Sequence, residues 1–440
     1  MGASWLPLWL AAVVAREARW APQRELERRH PDDALNASAR VRRELERTVD
    51  AYPKARSDED ALRLARQALA ATQHFVLLWQ NRIFCAADHL HADKHKIHYM
   101  FSLIASMAER APLPNALFVW DQGARGTGCP PGAPETPCFV IAKVSGYGAR
   151  GILVPNPYFC HLRFWDDRAG RIRTAAALRP FAERDPRLFW RGGVTRSCNF
   201  GNVARVAAIS LTADDATAFD VRCTSCQPPN SDACGGAFNY TASMRTLADG
   251  RNRSLFVEPH DFSRWRHVLN MPGTMGGSYS RHLNHLWNLG STVVLWDSPA
   301  VEWYYPALRD GATHVAVTRA SAPAAVRRLT ADVGAARRLA AEAADVHDTY
   351  LCGDCIEAYW RAALDAVRAR QRQARVLDDG AGSLLHDALH DVDCEALREF
   401  VLADDAGAPM DAEHDFFGGH PGTFRALGDW DDLKFACLAS

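Results

Sequence analysis

Hydrophobic and polar positions alternate along this chain in two periods, and the two predict different elements. Residues 23–72 are charged and helix-prone, with apolar side chains spaced as on an amphipathic surface helix. Phe75 to Phe84 (FVLLWQNRIF) reads as a strand with a polar end, and His98 to Ala108 sets apolar residues at 100, 103, 104 and 107, one helix face. Ala116 to Trp120 is a short apolar run ending at Asp121, followed by a loop rich in Gly and Pro over 122–137. Phe139 to Ala142 predicts another buried strand. The first half thus alternates strand and helix, the pattern of an α/β fold. Residues 161–187 are charged and read as loop, the best candidate for a domain junction. From LFWRGG (188–193) the alternation restarts: Arg205 to Leu211, a Cys-rich insert at 223–238, and strands at 254–259 and 265–271. A helix over 278–289 and strands at 291–296 and 314–318 follow, then Ala/Arg-rich helices at 322–345 and 354–370. Beyond 375 the chain turns acidic, with Gly and Pro, and no internal repeat is visible.

Composition narrows the class. The 440 residues are 48% hydrophobic and 23% charged, ordinary globular values with room for two or three domains. A net charge of −1 offers no footprint for nucleic acid. No apolar run reaches 18 residues, so an ordinary membrane span is not expected. The apolar stretch from Trp5 to Val14 is about right for a signal-peptide core or a truncated anchor, although it lacks a basic start; a buried N-terminal helix is the other reading. Twelve cysteines suit disulfides in a secretory compartment. Cys223/Cys226 and Cys352/Cys355 have CxxC spacing, and a four-cysteine zinc site or plain thiols are the alternatives. Sequons at Asn36, Asn239 and Asn252 point to the same compartment.

Several short segments carry chemistry. In a doubly wound sheet, ligands bind outside the carboxyl ends of the strands. GTMGGSYSRHL (273–283) is a glycine-rich turn feeding a helix, a natural diphosphate cradle or simply a turn. There the Ser280 hydroxyl and nearby backbone N–H groups would donate to phosphate oxygens, and Arg281 and His282 would add charge. Glu302, beside Trp303 and Tyr304, is placed to accept hydrogen bonds from a ribose, or to cap a surface helix. LFWRGGVTR (188–196) ends a strand in Arg191, Gly192 and Gly193, with Thr195 just beyond. Arg191 there suits a leaving diphosphate, or a structural ion pair. Asp121, at a strand end, suits a general base or a turn. Paired histidines at 91/95 and 386/390 and Asp-x-Asp pairs at 391/393 and 429/431 read as solvated polar segments rather than metal sites.

Taken in order, these pieces resemble glycosyltransferase family 90, the protein O-glucosyltransferases and fungal capsule-associated β-xylosyltransferases. The matching segments are QNRIF (80–84), LFVWD (117–121), FVIAKVSGY (139–147) and FWRGGVT (189–195). They continue with WRHVLNMPGTMGGSYSRHLNHLWNLGS (265–291), VEWYYPAL (301–308), HVAV (314–317) and DCIEAYWRAAL (354–364). The resemblance implies a GT-B fold, two Rossmann-like domains facing a cleft, with a UDP-sugar bound mainly by the second. It implies inversion at the anomeric carbon with no catalytic metal and no cofactor beyond the UDP-sugar co-substrate. Asp121 matches the family's proposed base and Arg191 the arginine of its F-R-G motif. Gly276, Ser280, Gly290 and Ser291 match its glycine-serine positions, and Glu302 and His314 its acid-aromatic and strand-start histidine positions. Two departures stand out: His282 occupies the position where many members carry a phosphate-contacting arginine, with Arg281 next to it, and W-D-Q-G replaces R-D-Y-P near the base. The chain closes FACLAS, without a KDEL-like tail.

The expected organisation is a signal or anchor remnant at 1–22 and an acceptor-side Rossmann-like domain at 23–175. A UDP-sugar-binding domain at 176–345, a crossover helix at 346–375 and an acidic extension at 376–440 follow. The expected activity is transfer of glucose or xylose from a UDP-sugar to a hydroxyl of a protein serine or a glycan, in the endoplasmic reticulum or Golgi lumen. Glu302, Arg191, Gly192, Thr195, Gly276, Ser280, Arg281 and His282 would hold the donor and Asp121 would act as base. The competing readings are an inactive GT-B homologue serving as a carbohydrate-binding scaffold, and a metal-dependent transferase.

Overall fold

A computed structural model describes residues 37–71, 74–85, 94–121, 123, 129, 134–144, 150–159, 162–226, 255, 257–273 and 282–378. The leading apolar stretch, the three sequons, His91, His386, His390, both Asp-x-Asp pairs and Cys160, Cys234, Cys394 and Cys437 lie outside these residues, as does the acidic tail from 379 on. Among the described residues no helix is long and apolar enough to cross a membrane.

Within the amphipathic segment at 23–72, the described residues form a pair of helices, α1 (Ala37–Asp50) and α2 (Asp58–Ala71). Pro53 separates them, and Ser57 starts the second by accepting the Asp60 N–H at 3.1 Å. The expected single strand at 75–84 is a hairpin: β1 (Phe75–Trp79) and β2 (Arg82–Cys85) pair antiparallel about Gln80 and Asn81. Both turn residues have positive φ, 49° and 60°, as a tight primed turn requires. Helix α3 (Lys94–Arg110) buries Met100, Leu103, Ile104 and Met107, the stripe its spacing predicts. Strands β3 (Ala116–Asp121), β4 (Cys138–Val140) and β5 (Ile152–Leu153) run parallel to one another. The first sheet, in order β2-β1-β3-β4-β5, is therefore mixed. Its Rossmann-like character is confined to β3–β5, because the primed turn returns β2 antiparallel to β1, and β1 in turn runs antiparallel to β3.

The stretch read as a loop-rich junction forms helix α4 (Leu162–Ala177). Its buried residues, Leu162, Trp165, Ala169, Ile172 and Ala176, follow spacings of three and four beneath a charged outer face. The charge obscured the period.

The second sheet comprises β6 (Asp185–Val194), β7 (Phe219–Cys226), β8 (Trp265–Asn270), β9 (Thr292–Trp296) and β10 (Val315–Val317). Every pairing is parallel, in the order β10-β9-β8-β6-β7. Helix α5 (Phe200–Asp214) connects β6 to β7, and a single helical turn, α6 (Leu283–Leu286), precedes β9. Of the expected helix at 278–289, the described residues form only that turn. The strand expected at 254–259 is replaced, among its described residues, by extended chain leading into a 3-10 helix at Pro259–Arg264, where the proline at the first helical position sets the turn. After β10 come α7 (Ala322–Ala331), α8 (Val333–Val346), a π-helical turn (His347–Leu351), α9 (Gly353–Gln371) and α10 (Gln373–Leu377).

Numbered by appearance within the second sheet, the strands lie 2-1-3-4-5, a doubly wound arrangement whose order reverses between β6 and β8. One face packs Leu188, Trp190, Leu269 and Val294 against α5, α7 and α8. The other contributes Phe189, Val268 and Val293 to a core that continues through α4 and α9 into the first sheet. Helix α9, about 28 Å long for its 19 residues, ends at the first sheet. There α10 continues, and the Gln373 amide brackets the backbone of Leu117 in β3, accepting its N–H at 3.0 Å and donating to its carbonyl at 2.8 Å.

Candidate functional site

The carboxyl ends of both sheets converge. Lys143, three residues beyond β4, makes a two-bond antiparallel bridge to Val301, five residues beyond β9, with N···O distances of 3.0 and 2.8 Å. Asp121 is the last residue of β3 and pairs with Val140 of β4. Only Ile141 and Ala142 lie between that pair and the bridge to the Glu302 segment, three steps of chain spanning on the order of 10 Å when extended. The Asp121 side chain is mostly buried, and its Oδ1 accepts the Gly123 N–H at 2.7 Å. It thus organises the turn that starts the 122–137 loop, as a strand-end aspartate does. A disulfide between Cys129 and Cys138 ties that loop back to the first residue of β4.

Beside the switch point, the pairing of β6 with β7 shifts register between Gly192 and Gly193, where Thr224 of β7 is the extra residue. A Cβ on Gly192 would stand 2.4 Å from the Trp190 indole, so that ring demands glycine there. The Thr195 backbone N–H donates to Asn202 Oδ1 at 2.9 Å, and Asn202 Nδ2 donates back to Thr195 Oγ1 at 2.8 Å and to the Ser197 carbonyl at 2.8 Å. Asn199 caps α5 by accepting the Asn202 N–H at 3.0 Å. A buried asparagine in the first helical turn therefore shapes the loop after β6. Arg205, one turn further on, donates to the carbonyl of Gly193 at 2.5 Å and to that of Pro272 at 2.9 Å, clamping the ends of β6 and β8 together. Neither Asn202 nor Arg205 was singled out from the sequence. The signal that reveals them is their place on the inner face of the helix that follows the Gly192-Gly193 strand end.

Arg191 is held otherwise than an open phosphate contact would be. Its guanidinium donates to Asp220 Oδ1 at 2.9 Å and to the carbonyls of Asp220, Trp190 and Leu255 at 2.7, 3.0 and 3.2 Å, and lies over the Phe189 ring. Arg222 and Arg187 also face Asp220, at 2.9 and 3.8 Å. Of the two readings of Arg191, the ion pair is the one formed here. Burial lowers its pKa, against the pull of Asp220.

His282 begins the α6 turn, its carbonyl accepting the N–H groups of His285 and Leu286 and its ring packing edge-on to Phe262. Gly276, Ser280 and Arg281 lie outside the described residues. Glu302 is 1% exposed. Burial raises its pKa to about 8, although hydrogen bonds from Asn156 and Tyr305 oppose the shift. Its Oε1 has no hydrogen-bond partner among the described residues. Asn156 in turn exchanges amide hydrogen bonds of 3.3 and 3.2 Å with Asn284 of α6, so Glu302 and the His282 turn share one polar network. The surface-helix reading of Glu302 is excluded by this burial, and a ribose would reach it only by opening the segment.

The remaining described motif positions make contacts within the fold. Arg184 donates to the carbonyls of Leu289 and Gly290, both at 2.7 Å, to Ser291 Oγ at 2.9 Å, and to the carbonyls of Ala176 and Arg179. Gly290, with φ of 58°, forms the turn against which that guanidinium rests. His314 opens β10 at the amino edge of the sheet, opposite the switch point, beside Thr313 Oγ1 at 3.0 Å. Among the described residues no cluster of His, Cys, Asp or Glu is arranged to hold a metal ion. No protein-family model matches the chain, and no curated protein matches its sequence.

Proposed function

We propose that the chain is an inverting GT-B glycosyltransferase of the secretory lumen, moving glucose or xylose from a UDP-sugar to a hydroxyl of a protein serine or a glycan without a metal. The observation that carries this reading is the 2-1-3-4-5 winding of the second sheet. The ligand crevice of such a sheet lies outside the carboxyl ends at the switch point. Here that place is bordered by the Gly192–Val194 end of β6, with Thr195 just beyond it, and by the chain leaving β8 toward the glycine-rich segment 274–281. The Lys143–Val301 bridge supports the two-sided arrangement, because it joins the carboxyl ends of the two sheets on which Asp121 and the donor turns sit.

In this mechanism Asp121 takes the proton of the acceptor hydroxyl through the oxygen not bound to Gly123 N–H. The acceptor oxygen attacks the anomeric carbon from the face opposite UDP, and the bond to the β-phosphate oxygen breaks. Charge developing on the diphosphate is met by backbone N–H groups and hydroxyls of the glycine turns and by Arg281. Asn202 and Arg205 position those turns without touching the donor.

A binding protein without transfer is the second reading, favoured by the full engagement of Arg191 with Asp220 and three carbonyls. The test is UDP release from a panel of UDP-sugars by purified protein in EDTA, with donor affinity measured alongside. Replacing Asp121 by Asn is expected to lower turnover by about 100-fold or more with affinity retained. Equal turnover in the variant removes Asp121 as base, and tight binding with no release from any donor establishes the second reading.

A further inference from the structure

The two CxxC pairs are both disulfides, yet they sit in different settings. Cys223–Cys226 lies at the end of β7, with Cys223 buried. Cys352–Cys355 lies at the start of α9, within Cys-Gly-Asp-Cys, and both of its cysteines are half-buried. Cys352 is the N-cap residue: its Sγ accepts the backbone N–H of Cys355 at 3.1 Å. Cys355 Sγ lies 3.3 Å from the Asp348 carbonyl in the preceding π-helical turn. The third disulfide with both cysteines described, Cys129–Cys138, has one sulfur fully buried in the core.

The geometry points to Cys352–Cys355 as a thiol–disulfide exchange site that accepts two electrons from a dithiol. An incoming thiolate attacks Cys355 Sγ. The S–S bond breaks, a mixed disulfide forms at Cys355, and the electron pair leaves on Cys352 Sγ. That thiolate is received by the Cys355 N–H and by the positive end of a 19-residue helix, the setting that makes a cysteine a good leaving group. The second thiol of the reductant gives its proton to solvent and attacks the reductant sulfur held in the mixed disulfide, so the bond to Cys355 breaks and the reductant leaves as a cyclic disulfide. Cys355 is released as a thiolate, takes a proton from solvent, and points its S–H at the Asp348 carbonyl.

The nearby charges moderate the site. Asp166 accepts the Gly353 N–H at 2.8 Å, and a Cβ on Gly353 would stand 2.3 Å from its other oxygen. Asp354 and Glu357 are matched by Arg110, and Asp348 by Arg173. Arg110 also lies 3.7 Å from Asp166, and Arg361 pairs with Glu357, so three guanidiniums offset part of the charge of these four carboxylates, and the amide dipoles of the helix end favour the thiolate against the remainder.

The experiment uses the full-length oxidised protein at pH 7 with graded dithiothreitol. Free thiols are alkylated at timed intervals, the remaining disulfides are reduced and labelled with a reagent of different mass, and peptides are quantified by mass spectrometry. Near-UV circular dichroism of the same samples reports unfolding. Cys352–Cys355 is expected to open about tenfold faster than Cys129–Cys138, and ahead of Cys223–Cys226, with the dichroism unchanged. If either other pair opens as fast, or if Cys352–Cys355 opens only as the dichroism collapses, the site is a structural staple and the inference is wrong. The outcome is independent of whether the chain transfers sugars.

Discussion

Replacing Glu302 by Gln tests the central polar network through its pH dependence. Glu302 is buried between the two sheets, and its pKa rises from an ordinary 4.5 to about 8 because burial disfavours the charged form. Between those values the folded protein holds the proton while the unfolded chain has released it, so folding grows less favourable as pH rises. At about 1.4 kcal/mol per pH unit, the loss is absent below pH 4.5 and reaches about 5 kcal/mol by pH 8. Glutamine keeps the shape and the neutral amide-like hydrogen bonding but cannot ionise. The wild type and Glu302→Gln should therefore differ little in stability at pH 4.5, and the variant should gain several kcal/mol relative to wild type by pH 8. Urea unfolding of both proteins at half-unit intervals measures the difference directly. Titrations common to both proteins cancel in that difference, which isolates residue 302. A stability difference that stays flat from pH 5 to 8 would refute both the buried, protonated state and the reasoning from burial.

Three further outcomes follow from other contacts. Arg184→Ala removes donors from the carbonyls of Leu289 and Gly290 and from Ser291 and leaves them buried; a loss of about 3–5 kcal/mol in urea unfolding is expected, and under 1 kcal/mol contradicts the clamp. Gly192→Ala drives a Cβ to 2.4 Å from Trp190, so a loss of about 1–3 kcal/mol and a changed Trp fluorescence should accompany it. His267, buried in β8 with neither ring nitrogen hydrogen-bonded among the described residues, has its pKa lowered to about 4 by burial, so its contribution to stability falls as pH drops from 6.5 toward 4. His267→Leu should flatten that acid limb, with a relative gain of about 2 kcal/mol at pH 5, and an unchanged limb counts against the assignment.

Much of the second half was legible from its pattern alone. The runs at 188–193, 265–271, 291–296 and 314–318 all became parallel strands, because such strands bury both faces and each run holds adjacent apolar residues that point to opposite sides. The helices at 322–345 and 354–370 also formed, the first broken at Asp332, which caps α8 by accepting the Ala335 N–H at 2.8 Å. Helix α4 was hidden because charge along its outer face outweighed the buried spacing of Trp165, Ala169 and Ile172. The hairpin at 80–81 was hidden because Gln and Asn seldom announce a positive φ as glycine does.

Asp121 at a strand end, the Gly-Gly pair after Arg191 and the acid before the aromatics were visible in sequence as points where chemistry is placed. Asp121 and Gly192 meet neighbours two positions away, at Gly123 and Trp190, whereas the settings of Glu302 and Arg191 depend on distant segments, Asn156 and Asp220 among them. Arg191 is marked in the sequence by the two glycines after it, but both a phosphate contact and an ion pair fit that pattern, and Arg184 and Arg205 carry no comparable mark. In the folded chain Arg184 braces the start of β9, Arg191 pairs with Asp220, and Arg205 joins the ends of β6 and β8. Period and composition are properties of neighbours along the chain, so they determined strands, helices and the wound α/β class. A guanidinium's partners and a carboxyl's proton are set by which distant carbonyls and apolar walls surround them, and only the tertiary structure decided those.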